Sequence, residues 1–156
     1  MVNTPTLLDL DKARAVVTTV VDPEIPVLTI ADLGILRDVT EDQGRLVVTI
    51  TPTYSGCPAM RQIEDDVTHA LMDAGFESAE VRMVHAPAWS TDWITSEGRR
   101  KLADFGIAPP TAWYDVLCPR CSAPEPTTIS LFGSTACKAL MVCSSCGEPF
   151  DYFKEF

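Results

Sequence analysis

The chain has 156 residues, 46% of them hydrophobic, and a formal net charge of −10. That apolar content is enough for a packed core and excludes wholesale disorder, and no run reaches the ~18 apolar residues of a membrane span. The acidic balance argues against a nucleic-acid partner, because phosphate binding needs a basic face.

At the start, Met1-Val2-Asn3-Thr4-Pro5 has no basic region before an apolar stretch, so no signal peptide is expected. Six cysteines without a secretion signal then read as reduced, metal-bound or reactive thiols in the cytoplasm. Residues 7–21 predict a first helix, with Leu7, Leu10, Ala13 or Arg14, Val17 and Val20 or Val21 at helical spacing. Its valines and threonines weaken its propensity, and Asp22-Pro23-Glu24-Ile25-Pro26 ends it. Leu36 to Val39 and Arg45 to Thr51 predict two strands of a hairpin around Glu41-Asp42-Gln43-Gly44.

Pro58 suits the first position of a second helix, which makes Cys57 its N-cap. Met60, Ile63, Val67 and Leu71 share one face of that helix, and Gly75 ends it. Val81 to His85 predicts a third strand, and an irregular aromatic stretch to Trp93 leads into a short helix closed by Gly106. Ile107 to Thr111 reads as a linker, which sets the expected domains at residues 1–110 and 111–156. Beyond it come short strands at Thr127 to Phe132, Ala136 to Val142 and Glu148 to Phe153.

The strongest chemical signal lies in this last part. Cys118-Pro119-Arg120-Cys121 and Cys143-Ser144-Ser145-Cys146-Gly147 are two Cys-x-x-Cys pairs at the spacing of zinc-ribbon knuckles. Zn²⁺ takes four thiolates in a closed tetrahedral site, so Cys118, Cys121, Cys143 and Cys146 are the expected ligands. Two redox dithiols are the competing reading, but neither pair opens a helix beside a βαβ pattern. So small a unit cannot build a sufficient core, and the metal must staple it. From residue 112 onward it holds Arg120, Lys138 and Lys154 against Asp115, Glu125, Glu148, Asp151 and Glu155, so it has no basic face.

Elsewhere the candidates are sparser. Cys57 reads either as a thiolate favoured by a helix N-terminus or as a small packed cap. Of the two histidines, His69 is expected in solvent and His85 in the core, with a site-facing role for His85 left open. Asp22 and Glu24 are a carboxylate pair suited to acid–base work or to forming the turn. Trp89 and Trp93 either cover a site or fill a seam. Cys137 is expected as a packed thiol in preference to a fifth ligand.

Taken together, these stretches resemble the PaaD (PaaJ) family. The residues that carry the likeness are Asp22-Pro23-Glu24-Ile25-Pro26, Asp32-Leu33-Gly34-Ile35, Thr53-Tyr54-Ser55-Gly56-Cys57-Pro58 and Trp89-Ser90-Thr91-Asp92-Trp93-Ile94. Gly133-Ser134-Thr135-Ala136-Cys137-Lys138-Ala139, the four-cysteine ribbon and Glu148-Pro149-Phe150-Asp151-Tyr152-Phe153-Lys154 complete it.

The resemblance implies an α/β (α+β) fold, with a small mixed sheet and packed helices shared with SufT-like iron–sulfur assembly domains, followed by a β-rich zinc ribbon. It implies a non-catalytic component of the bacterial phenylacetyl-CoA 1,2-epoxidase system in phenylacetate catabolism, assisting iron or iron–sulfur centre maturation. The partners it implies are the oxygenase subunits and the iron–sulfur reductase. Cys57 becomes the transient iron or cluster ligand, with Asp22 and Glu24 near that site and Cys137 inside a family motif. The residues agree with that division of labour, since the chain has no Glu-x-x-His pair and no Gly-rich dinucleotide loop. A single Cys cannot hold a cluster alone, so sharing with a second copy or a partner is expected. A structural or regulatory subunit, and more distantly a thiol–disulfide protein, are the alternatives.

Overall fold

The computed structural model describes residues 9–156, so the expected helix start at Leu7 and the Met1 to Pro5 segment lie outside the described residues. The chain divides into two compact units between Trp89 and Ser90.

In the first unit, Asp9 caps helix α1 (Leu10–Val17) by accepting from the Lys12 N–H at 2.9 Å. The helix stops earlier than its apolar spacing predicts. Thr18 and Thr19 turn their hydroxyls back onto the carbonyls of Ala15 and Val16, and Val21 leaves to bridge Thr29. Next come strands β1 (Leu36–Asp42) and β2 (Arg45–Ile50), an antiparallel hairpin with Asp42 opposite Arg45. Gln43 at φ 51° and Gly44 at φ 75° form its two-residue turn, whose left-handed backbone matches the twist of the strands.

Helix α2 (Ala59–Asp73) then crosses over to strand β3 (Ala79–Met83), which pairs parallel to β2 with Val48 opposite Val81. The sheet order is β1-β2-β3. The central strand hides Leu46, Val47, Val48 and Ile50, while α2 buries Met60, Ile63, Val67 and Leu71. At the C-terminus of α2, Gly75 (φ 94°) lets the Phe76 N–H reach the Leu71 carbonyl and its own N–H reach that of Met72.

The second unit opens with a single turn (Thr91–Trp93) and helix α3 (Ser96–Asp104), capped by the Thr95 hydroxyl. Strand β4 (Ile107–Ala108) follows, then β5 (Thr127–Ser130), β6 (Lys138–Val142) and β7 (Pro149–Phe153), in the sheet order β4-β7-β6-β5. The stretch expected as a linker is therefore partly a strand, parallel to β7 with Ala108 opposite Tyr152. Arg99 donates to the carbonyls of Pro110 (2.7 Å) and Thr91 (2.9 Å), and the Thr91 N–H reaches the Phe156 carbonyl. These bonds gather residues 90–110 into the second unit, whereas the sequence places the boundary at residue 110.

One buried cluster of this unit holds Ala108, Val116, Ala139, Met141, Phe150 and Tyr152 together with Cys118 and Cys143, and Leu102, Ile107 and Phe153 are buried as well. Gly133 packs so closely on Asp151 that a Cβ there would lie 2.5 Å from its Oδ1.

Candidate functional site

The two knuckles repeat one backbone pattern. The Ser122 N–H donates to the Cys118 carbonyl at 2.9 Å, and the Gly147 N–H donates to the Cys143 carbonyl at 3.0 Å. Both closing residues are left-handed, Ser122 at φ 62° and Gly147 at φ 74°. These turns bring the sulfurs of Cys118, Cys121, Cys143 and Cys146 within 4.8 Å of one another.

The Cys121 and Cys143 sulfurs lie 3.5 Å apart and those of Cys118 and Cys146 3.9 Å apart. A tetrahedral Zn²⁺ with Zn–S of about 2.3 Å needs sulfur–sulfur edges of about 3.8 Å, so the four thiols fit such an ion. The N–H groups of Cys146 and Ser145 both donate to the Cys143 sulfur at 3.4 Å. The Cys146 bond foremost, helped by Ser145 and opposed by desolvation, brings the Cys143 thiol down to about 6. The arrangement is a four-thiol cluster able to hold a metal ion, half buried because Cys118 and Cys143 are buried while Cys121 and Cys146 are exposed.

Cys137 stays outside this cluster. It is buried, its sulfur lies 3.0 Å from the Thr135 hydroxyl, and its carbonyl accepts from the Lys154 N–H.

In the first unit, Cys57 ends a turn in which its N–H donates to the Tyr54 carbonyl at 3.2 Å. Gly56, at φ 79°, supplies the positive φ that the third position of such a turn requires. Helix α2 begins one residue later than predicted, with Pro58 at the cap position, so the Cys57 thiol is not an N-cap. Its carbonyl instead accepts from the Met60 N–H in the first turn. Cys57 is half buried.

The Asp22 carboxylate is given to its own loop. It is 6% exposed, and its Oδ1 accepts from the N–H groups of Glu24 and Ile25, both at 2.8 Å. Asp32 and Thr29 form a similar reciprocal pair, with Asp32 Oδ2 on the Thr29 N–H and Thr29 Oγ1 on the Asp32 N–H. Glu24, in the Asp22 loop, is half buried.

His69 is exposed, as its helix face predicts, but His85 is exposed too, against the expected core position. Strand β3 ends at Met83, so the alternation that would carry His85 inward has already stopped. His85 lines a cleft of about 420 Å³ with Thr51, Tyr54, Ser55 and Trp89. Trp89 is buried and donates its indole N–H to the Leu33 carbonyl at 2.8 Å. Thr51 and the cleft had no periodic signal in the sequence; Thr51-Pro52 only marked the end of a strand.

Two family descriptions match the chain: "Iron-sulfur cluster assembly protein" over residues 10–83 and "PaaD zinc beta ribbon domain" over residues 110–154. A relative from Escherichia coli K12, provisionally named as a component of 1,2-phenylacetyl-CoA epoxidase, is 48% identical over 90% of this chain and 89% of its own length. The Fe-S protein maturation auxiliary factor YitW of Bacillus subtilis is 41% identical over 47% of this chain and 72% of its own. A solved domain of unknown function, DUF59, from Bacillus anthracis superposes with a TM-score of 0.55 at 33% identity, covering 60% of this chain and 90% of its own.

Proposed function

The chain belongs to the PaaD family, and from that membership we propose that it serves a phenylacetyl-CoA epoxidase by helping to install iron or iron–sulfur centres in it. The observation that carries this reading is the division of the thiols into two kinds. Four are tied together at tetrahedral spacing in the second unit, and one is held at the end of the Gly56 turn in the first. Zn²⁺ in the four-thiol cluster would act as a structural cross-link, since closed Cys₄ sites hold a fold and leave no open position for chemistry.

Cys57 has the opposite character. One thiolate can accept a soft metal centre but cannot retain it, which suits a hand-on step between partners. The receiving partners in this reading are the oxygenase subunits or their iron–sulfur reductase, and the location is the cytoplasm; no helix among the described residues is long and apolar enough to cross a membrane. Asp22 holds its own loop in shape, and Glu24 is the carboxylate of that loop assigned to a partner or cargo.

The test is the iron and acid-labile sulfide content of oxygenase and reductase purified from cells carrying Cys57→Ala. Depleted metal with a folded variant is the expected result. Full loading with lost epoxidation would replace this reading with a subunit that acts during turnover. That second reading has an observation of its own: Ile129, Leu131 and Phe132, at the edge strand β5 and just beyond it, are 55–66% exposed, as a docking surface would be.

A further inference from the structure

The two knuckles share one backbone pattern but not the same support. In the second, the Ser145 and Cys146 N–H groups both donate to the Cys143 sulfur at 3.4 Å, and the Glu148 N–H is bonded to the Cys146 sulfur. In the first, the Cys121 sulfur has one such bond, from the Ala123 N–H. Arg120 and Cys121 stand where Ser145 and Cys146 stand in the second knuckle, yet among the described residues neither N–H donates to the Cys118 sulfur. N–H groups of this kind offset the charge of a ligating thiolate and hold it in orientation. Loss of such outer partners typically lowers metal affinity by about 10–100-fold.

Two further differences run the same way. The residue that closes each turn is left-handed, but it is Gly147 in the second knuckle and Ser122, at φ 62°, in the first. A side chain makes that conformation strained, and glycine has none. The second knuckle is also fastened from outside, by the Ser144 hydroxyl on the Glu125 carbonyl at 3.0 Å. The first is tied by Arg120 to Glu148, an ion pair whose side chains are 67% and 46% exposed and which therefore contributes little. Cys118, Pro119 and Arg120 border an open groove of about 310 Å³, which no residue from Cys143 to Gly147 lines.

We propose that the first knuckle is the side by which metal enters and leaves the cluster. Cys143 and Cys146 take hold of an ion first and release it last, while Cys121 and Cys118 close on it last and let go first. A competing thiol or chelator thus meets the ion where the first knuckle has opened, with the second still holding it in the chain. The proposal rests on the reading of the four thiols as ligands of one ion and is independent of the role given to Cys57.

The experiment uses the full chain, reduced and zinc-loaded, with its ion first counted by elemental analysis. N-ethylmaleimide is added in excess, samples are quenched over time, and peptide mass spectrometry gives the labelling rate of each cysteine. Each rate is divided by that of the same cysteine in the metal-free, denatured chain. Cys121 and Cys146 are both exposed, and Cys121 is expected to label about tenfold faster. Zinc release, read with a chromogenic chelator, should keep pace with Cys121.

Ser122→Gly removes the strain from the first knuckle and is expected to slow Cys121 about fivefold while leaving Cys146 unchanged. If greater access to the Cys121 sulfur alone set the order, this variant would leave the ratio as it was, and the proposal is overturned. Labelling of Cys146 first, or of both at one rate, overturns it as well. Gly147→Ala moves the strain to the second knuckle and is expected to narrow the ratio; if that variant takes up no zinc, Ser122→Gly decides alone. A chain that carries no ion sinks the ligand reading itself, whereas a loaded chain without the bias sinks only the order of opening.

Discussion

The two units of this chain solve the problem of a small fold in different ways. The first buries a continuous apolar set, from Leu28 and Ile30 through Val48 and Ile50 to Ile63 and Leu71, each at most 1% exposed. Its one thiol is therefore not needed to hold it together. In the second unit, the buried cluster around Met141, Phe150 and Tyr152 includes two of the four thiols, Cys118 and Cys143, themselves. In the reading proposed above, a metal held by all four thiols would cross-link the knuckles and add to what packing supplies. On the same reading, Cys57 is available for other chemistry because its unit packs without it.

The most direct way to break this comparison is to remove the metal. A strong chelator, or Cys118→Ser, is expected to unfold the second unit while the first keeps its dispersed amide spectrum. Structural zinc sites contribute about 10–16 kcal/mol, more than any packing change here could offset. A second unit that stays folded without metal would show that its apolar core suffices after all.

A cavity in the first core should act in the reverse sense. Ile63 is fully buried, and Ile63→Ala is expected to lower the stability of the first unit by about 2–5 kcal/mol. Bound metal, measured by elemental analysis, should stay at one ion per chain. Loss of metal in this variant would mean that the two units fold as one.

The smallest change sharpens the comparison at the candidate site. Asp22→Ala removes the acceptor for two backbone N–H groups, a loss of about 0.5–2 kcal/mol by analogy with a helix cap. Asp22→Asn keeps an oxygen in place and is expected to restore most of that stability in a thermal melt. If Asp22→Asn is stable yet leaves the epoxidase proteins short of iron, the charge of Asp22 is used on cargo as well as on its loop.

Much of this could be read from the residues in order. Periodicity marked Met60, Ile63, Val67 and Leu71 as a buried stripe, Gly75 and Gly106 marked helix ends, and Glu41-Asp42-Gln43-Gly44 marked the hairpin, because each depends on neighbours a few positions away. The two Cys-x-x-Cys turns were legible for the same reason, and their spacing led to the cluster that the fold assembles. Cys137 was separated from that cluster by its place along the strand.

Tertiary structure decided what local pattern cannot encode. Ile107 and Ala108 become a strand only because β7 offers an edge more than forty residues later, and that pairing moves the division of the chain to Trp89. Likewise His85 is exposed because β3 ends at Met83, and segments 51–55 and 85–89, thirty residues apart in the chain, line one cleft. A chain's short-range spacing fixes which elements form; which groups are then left paired, buried or facing a cleft depends on contacts between distant segments, and those exist only in the folded molecule.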